Sequence, residues 1–221
     1  MVRWRVGDVN MFITPMQPFK INEPFDDDRY LTELKLDGIR IQYHSTPEPK
    51  LYTIDGRDIT NQFPELLDLP VPSGSIFDGE VILTDTQGKP DFMALIDRFH
   101  RNDPAVVREL AKQRPVTYCL FDILRHDGED LRTVPLFKRK QVLMETVRES
   151  ERLVHVRFIE GNGQAYFEEC KKEQLSGIIL KEKDSIYECG QASTHWVVVN
   201  NQRYHKQSNY RKTDFGYVVG V

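Results

Sequence analysis

Lys35 is the residue of this chain best placed for covalent chemistry. It stands in Glu33-Leu34-Lys35-Leu36-Asp37-Gly38-Ile39-Arg40, just ahead of an acid–glycine turn and an arginine. A strand-like stretch leads in over 30–35 and another leads out over 39–43. A lysine fixed where a strand gives way to a turn becomes a nucleophile once its amine loses a proton. An unperturbed lysine, with a pKa of about 10.4, stays protonated at neutral pH. Burial and neighbouring cations lower that value. Asp37-Gly38 suits a tight hairpin, because glycine tolerates backbone angles that other residues resist. Alone, such a dipeptide reads as a solvated surface turn. With Lys, Asp, Gly and Arg all fixed, a chance match anywhere in a chain this long is on the order of one in a thousand at even residue usage.

Other residues carry a weaker signal of the same kind. Glu80 follows Asp78-Gly79 and enters the apolar run Val81-Ile82-Leu83. A carboxylate there is costly unless it is paired, hydrogen-bonded or metal-bound. Asp78 reads as a turn former. Lys181 ends Gly177-Ile178-Ile179-Leu180, where a solvated strand cap is the ordinary alternative to a functional amine. Residues 201–215 carry Arg203, Lys206, Arg211 and Lys212 against Asp214. That stretch either meets phosphates or is a solvated loop.

The elements that must position these groups are mostly short strands. Apolar or alternating runs predict strands at 30–35, 38–44, 50–54, 75–83, 115–122, 177–181, 195–199 and 216–221. Helical spacing appears at Phe92, Leu95, Ile96 and Phe99. A second helix starts at Asp103-Pro104, a cap followed by proline in the first turn. A third spans 136–151 with Leu136, Leu143, Met144 and Val147 inward, and a fourth spans 163–175 on Phe167 and Cys170. Many strands with a few helices and hairpin-length connections predict an α+β fold with antiparallel sheets.

The 221 residues fit one large domain or two small ones. An apolar fraction of 39% supports a core, and no apolar run approaches the ~20 residues of a membrane span. The first five residues lack the apolar segment of a signal peptide. Cys119, Cys170 and Cys189 show no metal-ligand spacing. Reduced thiols in the cytoplasm are the simplest account. A net charge of −4 argues against a generally basic nucleic-acid coat.

KLDGIR resembles the KxDGxR motif of the covalent nucleotidyltransferases: ATP-dependent DNA ligases, RNA ligases and mRNA capping enzymes. Further landmarks resemble the small bacterial and phage DNA ligases. They are Ile13-Thr14-Pro15-Met16, Pro24-Phe25-Asp26-Asp27-Asp28, the FPEL segment Phe63-Pro64-Glu65-Leu66, Phe77-Asp78-Gly79-Glu80, Pro90-Asp91-Phe92 and Phe121-Asp122-Ile123-Leu124. The resemblance runs in order from about Met11 to the C-terminus. It implies an ATP-grasp-like adenylation domain over 11–215, with antiparallel sheets flanked by helices, after an N-terminal extension at 1–10. Residues 216–221 resemble the start of the connection to an OB-fold, which this chain would lack.

The resemblance also implies roles. Lys35 would attack the α-phosphorus of ATP and carry AMP. Glu33 would read the adenine amino group, and Phe121 would stack on the adenine. Arg40 would bind the ribose or the nick, and Glu80 would contact the ribose and a Mg²⁺ ion. Lys181 would face the triphosphate, and Lys206, with Lys212 second, would be the lysine of the last motif. ATP, Mg²⁺ and nicked double-stranded DNA are the implied ligands, for a cytoplasmic monomer with no membrane partner and an OB-fold supplied separately or removed.

Two positions depart from the pattern. Ser176 stands where a metal-holding glutamate is expected, and a neutral hydroxyl is the weaker ligand. Lower turnover, and a gain on restoring glutamate, are the expected consequences. Ile54 stands where an arginine is expected, with Arg57 three residues on as a substitute. These departures keep two alternatives open: a degenerate domain that binds nucleotide or DNA ends without turnover, and an RNA ligase or capping-type transferase. An NAD-dependent ligase is disfavoured, because that family carries an additional N-terminal domain.

Overall fold

The computed structural model describes residues 12–207. The extension 1–10, the strand expected at 216–221, Lys212 and the side chain of Lys206 lie outside the described residues. In chain order the strands are β1 (Gln17–Ile21), β2 (Tyr30–Leu34), β3 (Ile39–Ser45), β4 (Lys50–Thr53), β5 (Ser75–Ile82), β6 (Thr117–His126), β7 (Glu129–Asp130), β8 (Leu153–His155), β9 (Phe158–Glu160), β10 (Gly177–Glu182) and β11 (Ala192–Asn200). The helices are α1 (Phe92–Phe99), α2 (Pro104–Gln113), α3 (Leu136–Thr146), α4 (Gly163–Lys172) and α5 (Gln202–Gln207).

The chain forms two compact units, each built on one sheet. The first holds residues 12–14, Gly38–Val134 and Lys138–His155. Its sheet runs β4-β3-β5-β6-β7, with β8 parallel to β6. The second holds Pro15–Asp37, Pro135–Phe137 and residues 156–207, with sheet order β1-β11-β10-β2-β9. Among the described residues only β1–β11 and β6–β8 pair in parallel, so the α+β reading with antiparallel sheets holds.

In the second unit, strand alternation separates two faces. Ile178 and Leu180 pair across to Val199 and Val197. These four residues pack with Phe167 and Cys170 of α4 into one apolar cluster. The alternate positions of the same strands are Ile179 and Lys181 on β10, Val198 and Trp196 opposite them on β11, and Glu33 and Leu31 on β2. The period of two thus sends three polar or amphipathic side chains to the face away from α4.

In the first unit, the FPEL segment works as scaffold. Phe63 and Leu66 are fully buried. Glu65 accepts from Arg98 Nη1 at 2.6 Å and from the Val116 main-chain N–H at 3.1 Å. Arg98 also donates to the Arg114 carbonyl at 2.6 Å and lies over the Phe63 ring. Asp91 caps α1 through the Ala94 N–H, and Asp103 caps α2 with Pro104 in its first turn, as predicted.

Several expectations are corrected. Lys35 does not precede a β-hairpin: β2 and β3 belong to different sheets, so the turn after Lys35 carries the chain from one unit to the other. Gly38 is required for closeness rather than for an unusual backbone angle. A Cβ there would meet the Val81 carbonyl at 2.3 Å and Glu80 Cγ at 2.8 Å. Asp78 is not a turn former but a mid-strand residue of β5. The third helix ends at Thr146, and Met144 is 46% exposed. Its place on the inward face is taken by Arg139 and Lys140, both buried.

Candidate functional site

Lys35 lies one residue beyond β2 and is 7% exposed. Its main-chain N–H donates to the Gly177 carbonyl at 3.0 Å, continuing the β2–β10 ladder past the end of the strand. The Ser176 hydroxyl donates to the Lys35 carbonyl at 2.7 Å. Gly177 has φ 147°, and a Cβ there would lie 2.1 Å from the Val199 carbonyl, so only glycine fits beside the lysine's anchor. The sequence pattern reads Ser176 as a weakened metal position; the structure places its hydroxyl on the Lys35 backbone.

Two residues expected to act separately are brought together. Lys181 Nζ lies 2.7 Å from Glu33 Oε2, with both side chains at most 2% exposed. Glu33 stands opposite Ile179, two positions from Lys181, which makes the pair a same-face diagonal. The ammonium also sits 4.2 Å from the centroid of the Trp196 ring, its direct cross-strand neighbour. The register of β10 against β11 shows that the lysine on this ring is Lys181.

The rest of this half is a hydrogen-bond chain that the sequence did not reveal. Asn201 donates its main-chain N–H to the Ser176 carbonyl at 2.8 Å and its amide to the Leu175 carbonyl at 2.9 Å. Its side-chain oxygen accepts from the Arg203 N–H at 3.1 Å and the Tyr204 N–H at 3.5 Å at the start of α5. The Tyr204 hydroxyl donates to Asp37 Oδ2 of the KLDG segment.

The first unit carries the other predicted residues. Arg40 binds Asp78 in fork geometry, Nε to Oδ1 at 3.0 Å and Nη2 to Oδ2 at 2.7 Å. Arg40 Cζ lies 5.3 Å from the centroid of Phe121. The expectation that Arg40 binds a ribose or nick must accommodate this pairing. Phe121 is 9% exposed and is held at its carbonyl by Lys140 Nζ at 3.0 Å. Its neighbour Asp122 is locked by Arg139 through two contacts, 2.8 and 2.7 Å, with both side chains fully buried. Glu80 sits opposite Arg40 in the β3–β5 register, and its charge, added to burial, pushes the Cys119 thiol up to about 12. Arg57, the proposed stand-in for the arginine missing at Ile54, turns back on Asp55 at 2.9 Å and lies near the Phe99 ring.

Among the described residues no three His, Cys, Asp or Glu side chains come together as a metal cage. A lone carboxylate such as Glu80 suits Mg²⁺ only when phosphate oxygens and water complete its octahedron. The donors present fit a Mg²⁺ delivered with a nucleotide rather than one held by the protein alone. No described helix is long and apolar enough to cross a membrane.

The family model for the ATP dependent DNA ligase domain matches residues 12–199. The SPbeta prophage-derived DNA ligase-like protein of Bacillus subtilis (strain 168) is 37% identical over 212 residues, covering 95% of this chain and 76% of that protein. A probable DNA ligase of Streptomyces coelicolor is 33% identical over 177 residues, 76% of this chain but 34% of that protein. The structure of a mycobacterial DNA ligase D complexed with ATP and MES superposes with a TM-score of 0.68 at 22% identity, over 85% of this chain and 60% of that one. The ligase domain of M. tuberculosis LigD gives 0.69 at 24%, over 84% and 58%. This chain thus spans about three quarters of the Bacillus relative and roughly a third of the Streptomyces one. Family match and fold agree with the sequence motifs: the chain belongs to the ATP-dependent DNA ligase domain family and has the fold of its adenylation domain.

Proposed function

We propose that this chain adenylates itself on Lys35 and passes the AMP to a 5′-phosphate at a nick in double-stranded DNA. ATP is here a substrate. The Lys35 amine, having given up a proton, attacks the α-phosphorus. An N–P bond forms and the P–O bond to pyrophosphate breaks. A 5′-phosphate oxygen of the nick then displaces the lysine, which recovers its proton. The neighbouring 3′-hydroxyl, losing its proton to solvent, forms a new O–P bond to the activated 5′-phosphate as the P–O bond to AMP breaks, and the strand is sealed. Such phosphoryl transfers depend on in-line positioning and charge stabilisation more than on covalent help from the protein.

The supporting observation is the setting of Lys35. A surface lysine in a hairpin tip would wave in water. This one is buried, with both of its main-chain polar groups tied to Ser176 and Gly177. The buried Glu33–Lys181 pair stands on the neighbouring strand positions. In this proposal Lys181 neutralises phosphate charge, while Glu33 and Phe121 hold the adenine and Arg40 and Glu80 the ribose. Lys206 serves the pyrophosphate. Glu80 would offer its carboxylate to a Mg²⁺ bound with the nucleotide, which would supply charge neutralisation at the phosphates. The adenylation domain comprises 11–215.

Incubation with α-labelled ATP and Mg²⁺, followed by a denaturing gel, tests the proposal. The parent chain retains label and Lys35→Ala retains none. Label persisting in the alanine variant would show that another residue is the nucleophile.

A further inference from the structure

Ser176 and Gly177 hold both main-chain polar groups of one residue, and that residue is Lys35. The β2–β10 ladder runs one bond past the last residue of β2, from the Lys35 N–H to the Gly177 carbonyl. Ser176 then closes the other side by donating to the Lys35 carbonyl. The serine is itself fixed, because its own carbonyl accepts from the Asn201 N–H. Asn201 caps the chain leading to Tyr204, and Tyr204 donates to Asp37, two residues after the lysine. A closed ring therefore runs Lys35–Ser176–Asn201–Tyr204–Asp37 and back along the chain to Lys35.

We infer that Ser176 is a positioning residue for the Lys35 nucleophile: a backbone latch, closed through Asn201 and Tyr204, that fixes where the amine starts. This inference rests on the adenylation proposed above. The chemistry at position 176 demands a donor. The Lys35 carbonyl only accepts, so a hydroxyl satisfies it and an ionised carboxylate repels it. At 3% exposure, no bulk water offsets that repulsion. The serine is thus the residue type this geometry requires, not a weakened metal ligand. The expectation that Ser176→Glu raises activity is reversed: it lowers it.

A displaced nucleophile loses rate without losing affinity, since its near-attack geometry suffers while binding contacts stay. In single-turnover adenylation with labelled ATP, Ser176→Ala slows the step about tenfold or more at saturating ATP and Mg²⁺. The half-saturating concentrations of both stay within about twofold, because no binding contact is removed. Ser176→Thr, which keeps the hydroxyl, recovers most of the rate, and Tyr204→Phe gives a smaller loss of the same kind. A Ser176→Ala rate restored by excess Mg²⁺ would make the residue a metal ligand and overturn the inference. So would an unchanged rate.

A second measurement needs no turnover. Trace acetylation with acetic anhydride, read by peptide mass spectrometry, compares Lys35 with exposed lysines such as Lys89. In Ser176→Ala the relative reactivity of Lys35 rises several-fold, and in Ser176→Thr it stays at the parent level. Equal reactivity in all three proteins would overturn the latch. If the parent chain forms no adenylate while Lys35 still responds to Ser176→Ala, the adenylation proposal fails and the latch stands.

Discussion

Two buried ion pairs of nearly equal length, one in each unit, sit in different surroundings. Arg98–Glu65 in the first unit measures 2.6 Å, and Lys181–Glu33 in the second measures 2.7 Å. Both are at most 3% exposed. The arginine pair is stitched into the backbone, since Glu65 also accepts from the Val116 N–H and Arg98 also donates to the Arg114 carbonyl. It joins the FPEL turn to α1 and to the start of β6. The lysine pair joins two strands already hydrogen-bonded to each other, and its cation rests on an aromatic face. An ammonium on a flexible stem can re-aim at a phosphate, whereas a guanidinium fork committed to a carboxylate and a carbonyl is a fastener. Burial and pairing alone therefore do not mark a functional group, and the role proposed for Lys181 rests on its flexible stem and on its place near Lys35.

The sharpest way to break this contrast is to remove both cations. Arg98→Met leaves Glu65 buried and unneutralised and lowers unfolding free energy by about 3–5 kcal/mol in denaturant titrations. Adding Glu65→Gln does not rescue it, because the Val116 and Arg114 main-chain groups lose charge-assisted partners. Lys181→Met slows Lys35 adenylation about 100-fold or more by removing charge stabilisation. In the double variant Glu33→Gln/Lys181→Met, stability returns to within about 1 kcal/mol of the parent while adenylation stays lost. Equal stability losses for the two double variants would erase the distinction.

The smallest expected effect is alkaline. Burial, with the charge of Asp68, pushes the Tyr43 phenol up to about 12, and burial holds the Tyr118 phenol well above its usual range. Below about pH 10 both phenols are neutral in folded and unfolded chains and stability is unaffected. Between there and about pH 12 the unfolded chain releases protons that the fold retains, so stability falls as pH rises. Tyr43→Phe flattens that decline in melting experiments. An unchanged slope would mean that the first unit's sheet opens before the phenols ionise. Tyr118 is less suitable for substitution, because its hydroxyl also donates to the Ile41 and Phe77 carbonyls.

Much of the fold was legible because it follows local rules. Alternation of apolar residues located β2, β3, β4, β5 and β10 to within a residue or two, the spacing of Phe92, Leu95, Ile96 and Phe99 located α1, and Asp103-Pro104 announced α2. The inward face of α3 was not legible: hydropathy favours Met144, but Asp122 and the Phe121 carbonyl draw in Arg139 and Lys140 from other turns of the helix. A cation bonded inside a unit looks, in sequence, like one bound for solvent. The site divides in the same way. Lys35, Glu80 and Lys181 stood out from their own segments and Glu33 through the family resemblance, but the pairings Glu33–Lys181 and Arg40–Asp78 depend on strand register.

The sequence by itself determined the family, through short motifs in order along the chain, and the candidate nucleophile and most of the strands, which rest on residues close together. Tertiary structure alone decided that the KLDG turn links two sheets instead of closing a hairpin, and that Gly38 is small because Glu80 and Val81 press against it. It also decided that a serine 141 positions away holds the lysine's carbonyl. The physical reason is that hydrogen bonds and close contacts between distant segments follow from sheet order and register, which short-range spacing does not encode.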